Sequence, residues 1–349
     1  MKQFEALNAM RGLAAILAVL FHSDEFLRVN MAPGGYLAVD LFFVLSGFVI
    51  AHAYEERLKA GLMWREFALA RLIRFFPMLF LAVCIGLARA LAGIITHSPS
   101  ALSVPELVIA AGTSFFLLPA PITTSGDLFV LNVPLWTLCF ELLVNLVYAL
   151  AVNKLDTIKL ILIAVLAGGV MAAYLLQSGN NDNGALLNTA LGGVARAFFG
   201  FSIGVLIHRL RLRISVPPSL LLFSVTAALC APVPQELRPL FDLIFAILVA
   251  PVMVIAGSSI DQSGWQLKVS MWLGALSFPL YAVHRPLIGM AETITNRLDI
   301  DVPLINYAFI FALICFSVFL NYSYDEPFRR YLKSRLLMRP TTILSRSTV

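Results

Sequence analysis

Charge is scarce in this sequence. Of 349 residues only 13% are Asp, Glu, Lys or Arg, while 60% are hydrophobic and the mean hydropathy is +0.87. A water-soluble domain carries ~25% charged residues. With half that supply the chain cannot face water over its whole surface, which excludes an ordinary soluble enzyme and places it in a membrane. If each crossing takes ~20 apolar residues, ten crossings use about 200 and leave short loops, with no room for a separate soluble domain. Cysteine is sparse as well. Cys84, Cys139, Cys230 and Cys315 lie in apolar runs with no CxxC or His/Cys pairing, which argues against a disulfide framework and against a metal site; no metal is expected. Internal repeats and low-complexity segments are also lacking. Basic residues outnumber acidic ones, 25 to 20, for a net charge of +5. They gather at the ends of apolar runs rather than on one polar face, so no nucleic-acid partner is expected.

What is there is a series of apolar runs near 10–27, 36–54, 75–95, 134–152, 158–177, 186–207, 219–233, 239–257, 270–290 and 302–323. Each is bounded by charge, Pro, Gly or Asn. The first holds Arg11 and is followed by no small-residue cleavage site, so it is expected to stay as a span rather than leave as a signal peptide. Loop charge orients the chain. With the N-terminus in the cytoplasm and ten crossings, the cytoplasmic side and its membrane border receive Lys2, Arg11, Arg57, Lys59, Arg65, Arg71, Arg74, Lys154, Lys159, Arg209, Arg211, Arg213, Lys268 and the basic C-terminal residues, obeying the positive-inside rule. An eleventh crossing through 104–119 would put Arg209–Arg213 and that tail outside, so 104–119 is expected to be a re-entrant or interfacial helix on the far side. The expected architecture is all-α: a polytopic membrane helix bundle of about ten transmembrane helices with both termini cytoplasmic. Residues 1–333 would form the bundle and 334–349 a short basic tail.

An ionisable side chain within a span costs several kcal/mol by most estimates (~2.5 or more), so each is a functional candidate unless it can reach the interface. Arg11 and His22 are about three turns apart on one helix face, roughly 16 Å along the axis, the arginine at the cytoplasmic end and the histidine near the far interface. Snorkelling and interfacial placement would explain them equally. Asp40 lies near the depth expected for His22, so a His–carboxylate pair is geometrically open; so is a carboxylate favoured by its helix N-terminus. Ser46-Gly47 reads as a ligand position or as a small-residue helix contact. Arg71 and Arg74, three apart, share a face where paired guanidinium forks suit phosphate oxygens, or merely anchor the cytoplasmic border. Glu141, with Asn145 and Tyr148 on the same stripe, needs a partner or a proton, and Arg89 or Arg196 could supply the first. A second histidine, His284, comes toward the far side, where satisfied packing is the first reading and chemistry the second.

Taken jointly these segments resemble the integral-membrane type-3 acyltransferases, a family of polysaccharide and lipid-linked glycan O-acyltransferases. The likeness runs from Asn8 to about Lys333. It rests on Arg-x10-His at 11 and 22, the Gly-x-x-x-Asp-Leu-Phe-Phe-x-x-Ser-Gly-Phe block at 36–48 in a slightly altered form, and Arg-x-x-Arg at 71 and 74. It continues with Leu-Trp-Thr-Leu-x-x-Glu at 135–141, Ser-Phe-Pro-Leu-Tyr-x-x-His at 277–284 and Glu-Pro-Phe-Arg-Arg at 326–330. The resemblance implies a bundle of about ten helices in a bacterial cytoplasmic (inner) membrane. The implied activity is transfer of an acyl group, commonly acetyl, from cytoplasmic acyl-CoA to a hydroxyl of a cell-surface or lipid-linked saccharide on the far side. Position by position it makes His22 the leading catalytic residue, with Arg11, Asp40 and Glu141 around it, and Arg71, Arg74 and Ser46 the donor-binding set. The sequence departs from the family pattern at Tyr36-Leu37-Ala38-Val39 and after Glu141, on surfaces expected to meet the acceptor. With no C-terminal domain in view, acceptor specificity is expected within the bundle and its far-side loops, of which 96–134 is the longest.

His22 would act as the base that takes the acceptor proton, or as a nucleophile that is transiently acylated; the residues leave both routes open. A competing class is the secondary transporter, which also sets sparse charges inside a bundle but calls for inverted repeats that this sequence does not display. A scaffold protein would not account for Arg11, His22 and Glu141 in costly positions. Acceptor identity, acyl chain length and oligomeric state are not encoded legibly.

Overall fold

The structure is a computed structural model that describes residues 4–98, 101–120, 125–299 and 302–337. Among the described residues the chain is helical, with a single antiparallel bridge between Asp127 and Leu186 and no sheet. In order come α1 (Glu5–Phe21), a lone turn at Asp24–Leu27, α2 (Ala38–Lys59), α3 (Trp64–Ile95) and α4 (Val104–Phe115). Then follow α5 (Leu135–Ala151), α6 (Thr157–Ser178), α7 (Ala190–Leu210), α8 (Pro218–Cys230), α9 (Arg238–Ser259), α10 (Gly264–Arg297) and α11 (Pro303–Leu336). Side chains start two of these helices visibly. Ser103 and Glu106 close a capping box on α4, and the Asp156 carboxylate accepts from the Lys159 amide at 2.9 Å to open α6.

Every apolar run is helical, but several helices outrun it. The third begins at Trp64 rather than near 75, and α11 continues to Leu336, because their ends are amphipathic and hydropathy alone does not register them. That extension takes the helix into the segment read as a tail; residues 338–349 lie outside the described residues. The first run breaks at His22, and Ser23 folds back to donate to the Val19 carbonyl at 2.6 Å.

Six helical units are long and apolar enough to cross a membrane: 35–59, 64–95, 157–178, 187–210, 238–259 and 303–336. α4, at 12 residues, rises ~18 Å against a hydrocarbon core of ~30 Å and is too short to cross. By the same arithmetic α8, with 13 residues, rises only ~20 Å. Ten crossings therefore rest on the charge distribution and not on helix length.

Two helix pairs organise the bundle. α2 and α7 pack along Gly47, Gly200 and Gly204: a Cβ on Gly47 would land on the Phe201 carbonyl oxygen, and one on Gly204 on that of Val44. Ser46-Gly47 is thus a small-residue helix contact at its glycine, where only a missing side chain permits this approach. α1 and α10 meet similarly, Gly12 against the Leu273 backbone and Gly274 against Asn8. The apolar stretches of α2 and α7 are 72% buried, those of α6 and α11 only 28% and 22%. The outward face of α6 presents Ile161, Leu162, Val165 and Leu166, an apolar surface suited to lipid.

Gly204→Leu should force α7 off α2 and lower the unfolding temperature in detergent by at least the equivalent of ~1–3 kcal/mol, the usual cost of overpacking. Gly112→Ala, where nothing lies within 4 Å, should be neutral or slightly stabilising. Equal melting of Gly204→Leu and the unaltered protein would show that the seam does not hold the bundle.

Candidate functional site

α1, α2, α3, α5 and α10 surround a pocket of ≈ 910 Å³, counted to its open mouth. Its walls are mostly apolar, with Val39, Phe42, Phe43, Leu45 and Ile50 from α2, Phe75 from α3, Leu138 from α5 and Phe278 from α10. Against them stand a few polar groups: Arg11, Ser46, Arg71, Arg74, Glu141, Ser277 and Tyr281. A largely apolar concavity with a few fixed polar groups is the usual form of a small-molecule site.

The cations are held in different ways. Arg71 Nη2 donates to Glu141 Oε1 at 2.9 Å, and the same oxygen accepts from Ser46 Oγ at 2.8 Å. Glu141 thus takes neither Arg89 nor Arg196, the partners considered from the sequence, because one turn of α3 already points a guanidinium at it. Arg74 Nη1 lies 3.6 Å from Asp325 Oδ2, which Arg329 Nη2 also reaches at 2.9 Å. Asp325 closes the π turn Asn321–Asp325, the extra residue of which carries the carboxylate inward. Both arginines also lie over rings, Arg71 over Phe75 at 4.8 Å and Arg74 over Phe278 at 4.6 Å. Arg11 bonds neutral groups, Ser277 Oγ at 2.9 Å and the Gly274 carbonyl at 3.3 Å. Arg11, Arg71 and Arg74 against the single carboxylate of Glu141 leave the pocket lining cationic, and Arg71 and Arg74 are oriented by rings and carboxylates before any ligand arrives.

Arg11 and His22 do share a helix side, since both meet α10: Arg11 at Ser277, His22 by stacking on His284 with ring centroids 5.2 Å apart. His22 does not line the pocket. From the pocket wall the route to it runs through Tyr281, whose ring is 5.6 Å from His284. His284 Nδ1 contacts the Tyr281 carbonyl at 2.9 Å, while its buried Nε2 has no hydrogen-bond partner among the described residues. Arg285 Nη1 donates to the His22 carbonyl at 3.3 Å, fixing the end of α1 against α10.

Asp40 stands in the first turn of α2, the helix-N-terminal placement that was one of its two readings. It makes no pair with His22. Arg196 of α7, almost fully buried, grips it through Nε at 3.0 Å and Nη2 at 2.8 Å, and Asn181 Nδ2 donates to both its oxygens. The same arginine donates to the Asn183 and Tyr36 carbonyls. Asn181 leads on to Asp242, which also accepts from the Tyr36 hydroxyl; that hydroxyl accepts from Arg238 Nε at 2.6 Å. This latch ties α2, α7 and α9 to the loop after α6, where Gly179 in the left-handed region (φ 81°) turns the chain. Sequence reading passed over Arg196 except as a partner for Glu141, and over Asp242 altogether, although a charge within an apolar run was the signal that could have found both.

A family model described as an acyltransferase domain matches residues 4–323. Exopolysaccharide production protein ExoZ of Rhizobium meliloti (strain 1021) is 25% identical over 91% of this chain and 96% of its own length. Protein 2 in the picA locus of Rhizobium radiobacter is 39% identical, covering 42% of this chain and 82% of that protein. Peptidoglycan O-acetyltransferase OatA of Listeria monocytogenes is 28% identical over a shorter stretch, 24% of this chain and 13% of the relative. No solved structure matches.

Removing either half of the Arg196–Asp40 pair leaves a buried charge alone. Asp40→Ala or Arg196→Met should each cost ~3–5 kcal/mol, and the double variant clearly less than the sum. Chemical denaturation in micelles of the two singles and the double reads the coupling; strict additivity would mean that the two charges are solvated independently.

Proposed function

The chain belongs to the acyltransferase-domain family, and from that premise we propose that it is a membrane O-acyltransferase carrying an acyl group, acetyl by preference, from cytoplasmic acyl-CoA to a hydroxyl of a cell-surface or lipid-linked saccharide. The observation that carries this reading is the pocket that joins a cationic rim at Arg11, Arg71 and Arg74 to an apolar interior on the side of the Tyr281–His284–His22 ring column. Guanidinium forks suit the phosphates of a CoA. The apolar walls suit its thioester arm. A relative named for exopolysaccharide production and another for peptidoglycan O-acetylation support saccharide acceptors. The setting that goes with this is a bacterial cytoplasmic membrane, the basic helix ends facing the cytoplasm.

In this scheme Arg71 and Arg74 hold the phosphates, with Ser46 and Glu141 fixing Arg71 in place. The thioester reaches inward past Phe42 and Tyr281, whose rings are 5.7 Å apart and have to part for it to meet His22. The acceptor oxygen attacks the thioester carbonyl carbon while its proton passes to the His22 imidazole. As the tetrahedral intermediate collapses, the C–S bond breaks and the leaving thiolate takes that proton, giving the ester and free CoA thiol. His284, stacked on His22, and Arg285, bonded to its carbonyl, keep the imidazole at the column's end. Arg11 and Asp40 act by position: Arg11 holds α1 to α10, and Asp40 holds the far ends of α2 and α7.

Purified protein given acetyl-CoA tests this. Arg71→Ala and Arg74→Ala should each raise the KM for acetyl-CoA about tenfold or more, as loss of a charge-assisted bond worth ~1.5–3 kcal/mol would. His22→Ala should lower kcat ~10²–10⁴-fold with acetyl-CoA affinity retained. Wild-type turnover in His22→Ala would overturn the assignment, and acetyl label trapped on His22 in a single turnover would replace the base with an acyl-imidazole.

A further inference from the structure

From Tyr281 in the wall of the first pocket, α10 passes His284 and Arg285 and about two turns later reaches Glu292, then Thr295 and Asn296. There, with the turn that follows His22 and the start of α11, it encloses a second pocket of ≈ 490 Å³. The turn supplies Glu25, Phe26 and Arg28, and α11 supplies Asn306. Asn306 Nδ2 donates to the Phe26 carbonyl at 2.7 Å, pinning the turn to α11. Its Oδ1, like Glu292 Oε1, is buried without a hydrogen-bond partner among the described residues.

The chemistry of this pocket is unlike that of the first. Carboxylates, amides, a threonine hydroxyl and a guanidinium crowd a small space, so donors and acceptors of both kinds point at one volume. Such a set suits a ligand that both donates and accepts at every corner, as a saccharide does through its hydroxyls. Two carboxylates against one guanidinium disfavour phosphate or uronate. A cation site is not indicated either, for no group of three His, Cys, Asp or Glu side chains gathers among the described residues. Its volume falls in the ~300–1,000 Å³ range of small-ligand sites.

We infer that this pocket is the acceptor subsite: it binds one neutral saccharide unit through Glu292, Asn296 and Asn306 and so presents a hydroxyl to His22. The inference rests on the function proposed above and adds where, and by which groups, the acceptor is held. Two links join the subsite to the segment that carries His22, which itself stands outside the pocket lining. Glu25 follows His22 by three residues, and Arg285, on the helix that carries Glu292, bonds the His22 backbone. Donor and acceptor would then approach from opposite ends of the Tyr281–His284–His22 column.

The test uses the full-length protein in micelles, acetyl-CoA as donor, and as acceptor probe the surface polysaccharide of the source cells after alkaline removal of its esters. Glu292→Gln, nearly isosteric, and Asn306→Ala should each raise the KM for the polysaccharide about tenfold while the KM for acetyl-CoA stays within twofold. A polysaccharide KM within twofold of wild type in both variants overturns the subsite, and so does a joint rise of both KM values, which marks a folding effect. If wild type transfers acetyl to the polysaccharide and the variants match it, the subsite alone falls. If wild type neither transfers nor hydrolyses acetyl-CoA, the proposed function falls and takes the subsite with it.

Discussion

A guanidinium taken out of water needs acceptors fixed around it, and in this bundle the carboxylates that supply them fasten α2, α3, α5, α7 and α11 to one another. Arg196 meets Asp40 and thereby fastens α7 to α2; Arg71 meets Glu141 and fastens α3 to α5; Arg74 and Arg329 converge on Asp325 and fasten α3 to α11. At the basic end Arg209 joins Glu55, again linking α7 to α2. Apolar packing in a membrane is weakly directional, because lipid tails are as apolar as leucine, so these pairs and the glycine seams supply the register that hydrophobicity does not. Breaking a pair is costly where its members are buried, and three of these pairs, Arg196–Asp40, Arg71–Glu141 and Arg209–Glu55, are backed by further hydrogen bonds.

The bonds also divide labour among residues of the same type. Arg196 spends its donors mainly on Asp40 and two carbonyls and is buried away from the pocket. Arg11, Arg71 and Arg74 line an open pocket with part of their donor capacity uncommitted to protein, and are oriented from behind by Ser277, Glu141 and Asp325. On the function proposed above, the oriented forks at the rim would bring a polar donor into an apolar interior without reorganisation at the moment of binding. The two ends differ in kind. One pocket is cationic with apolar walls, the other polar but for Phe26, and His284, with His22 stacked on it, stands on the helix that joins them.

Much of this was legible from residues alone. The all-helical character and nearly every helix followed from apolar runs, and the common side of Arg11 and His22 followed from helical periodicity, because both depend on local spacing only. The six motif blocks resembling the type-3 acyltransferases pointed to a family that the match over residues 4–323 shows. Less legible were the amphipathic ends of α3 and α11, which carry too much charge for a hydropathy window, and the break of the first run at His22. Asp40 was noticed, but its partner was sought nearby in depth rather than on α7, and Asp325 drew no notice because a π turn has no sequence signature.

The sequence by itself determined that this chain is a membrane-embedded helical protein and named the charged side chains that would matter, since composition and periodicity are sums over neighbours along the chain. Which carboxylate each arginine meets was decided by tertiary structure. So were the seating of His22 on His284 beyond the pocket wall and the enclosure of a polar pocket by three separate segments. Several such pairings join residues more than a hundred positions apart, and that of Arg196 with Asp40 depends on how closely two helices approach at a glycine. No property of one helix read alone contains that distance.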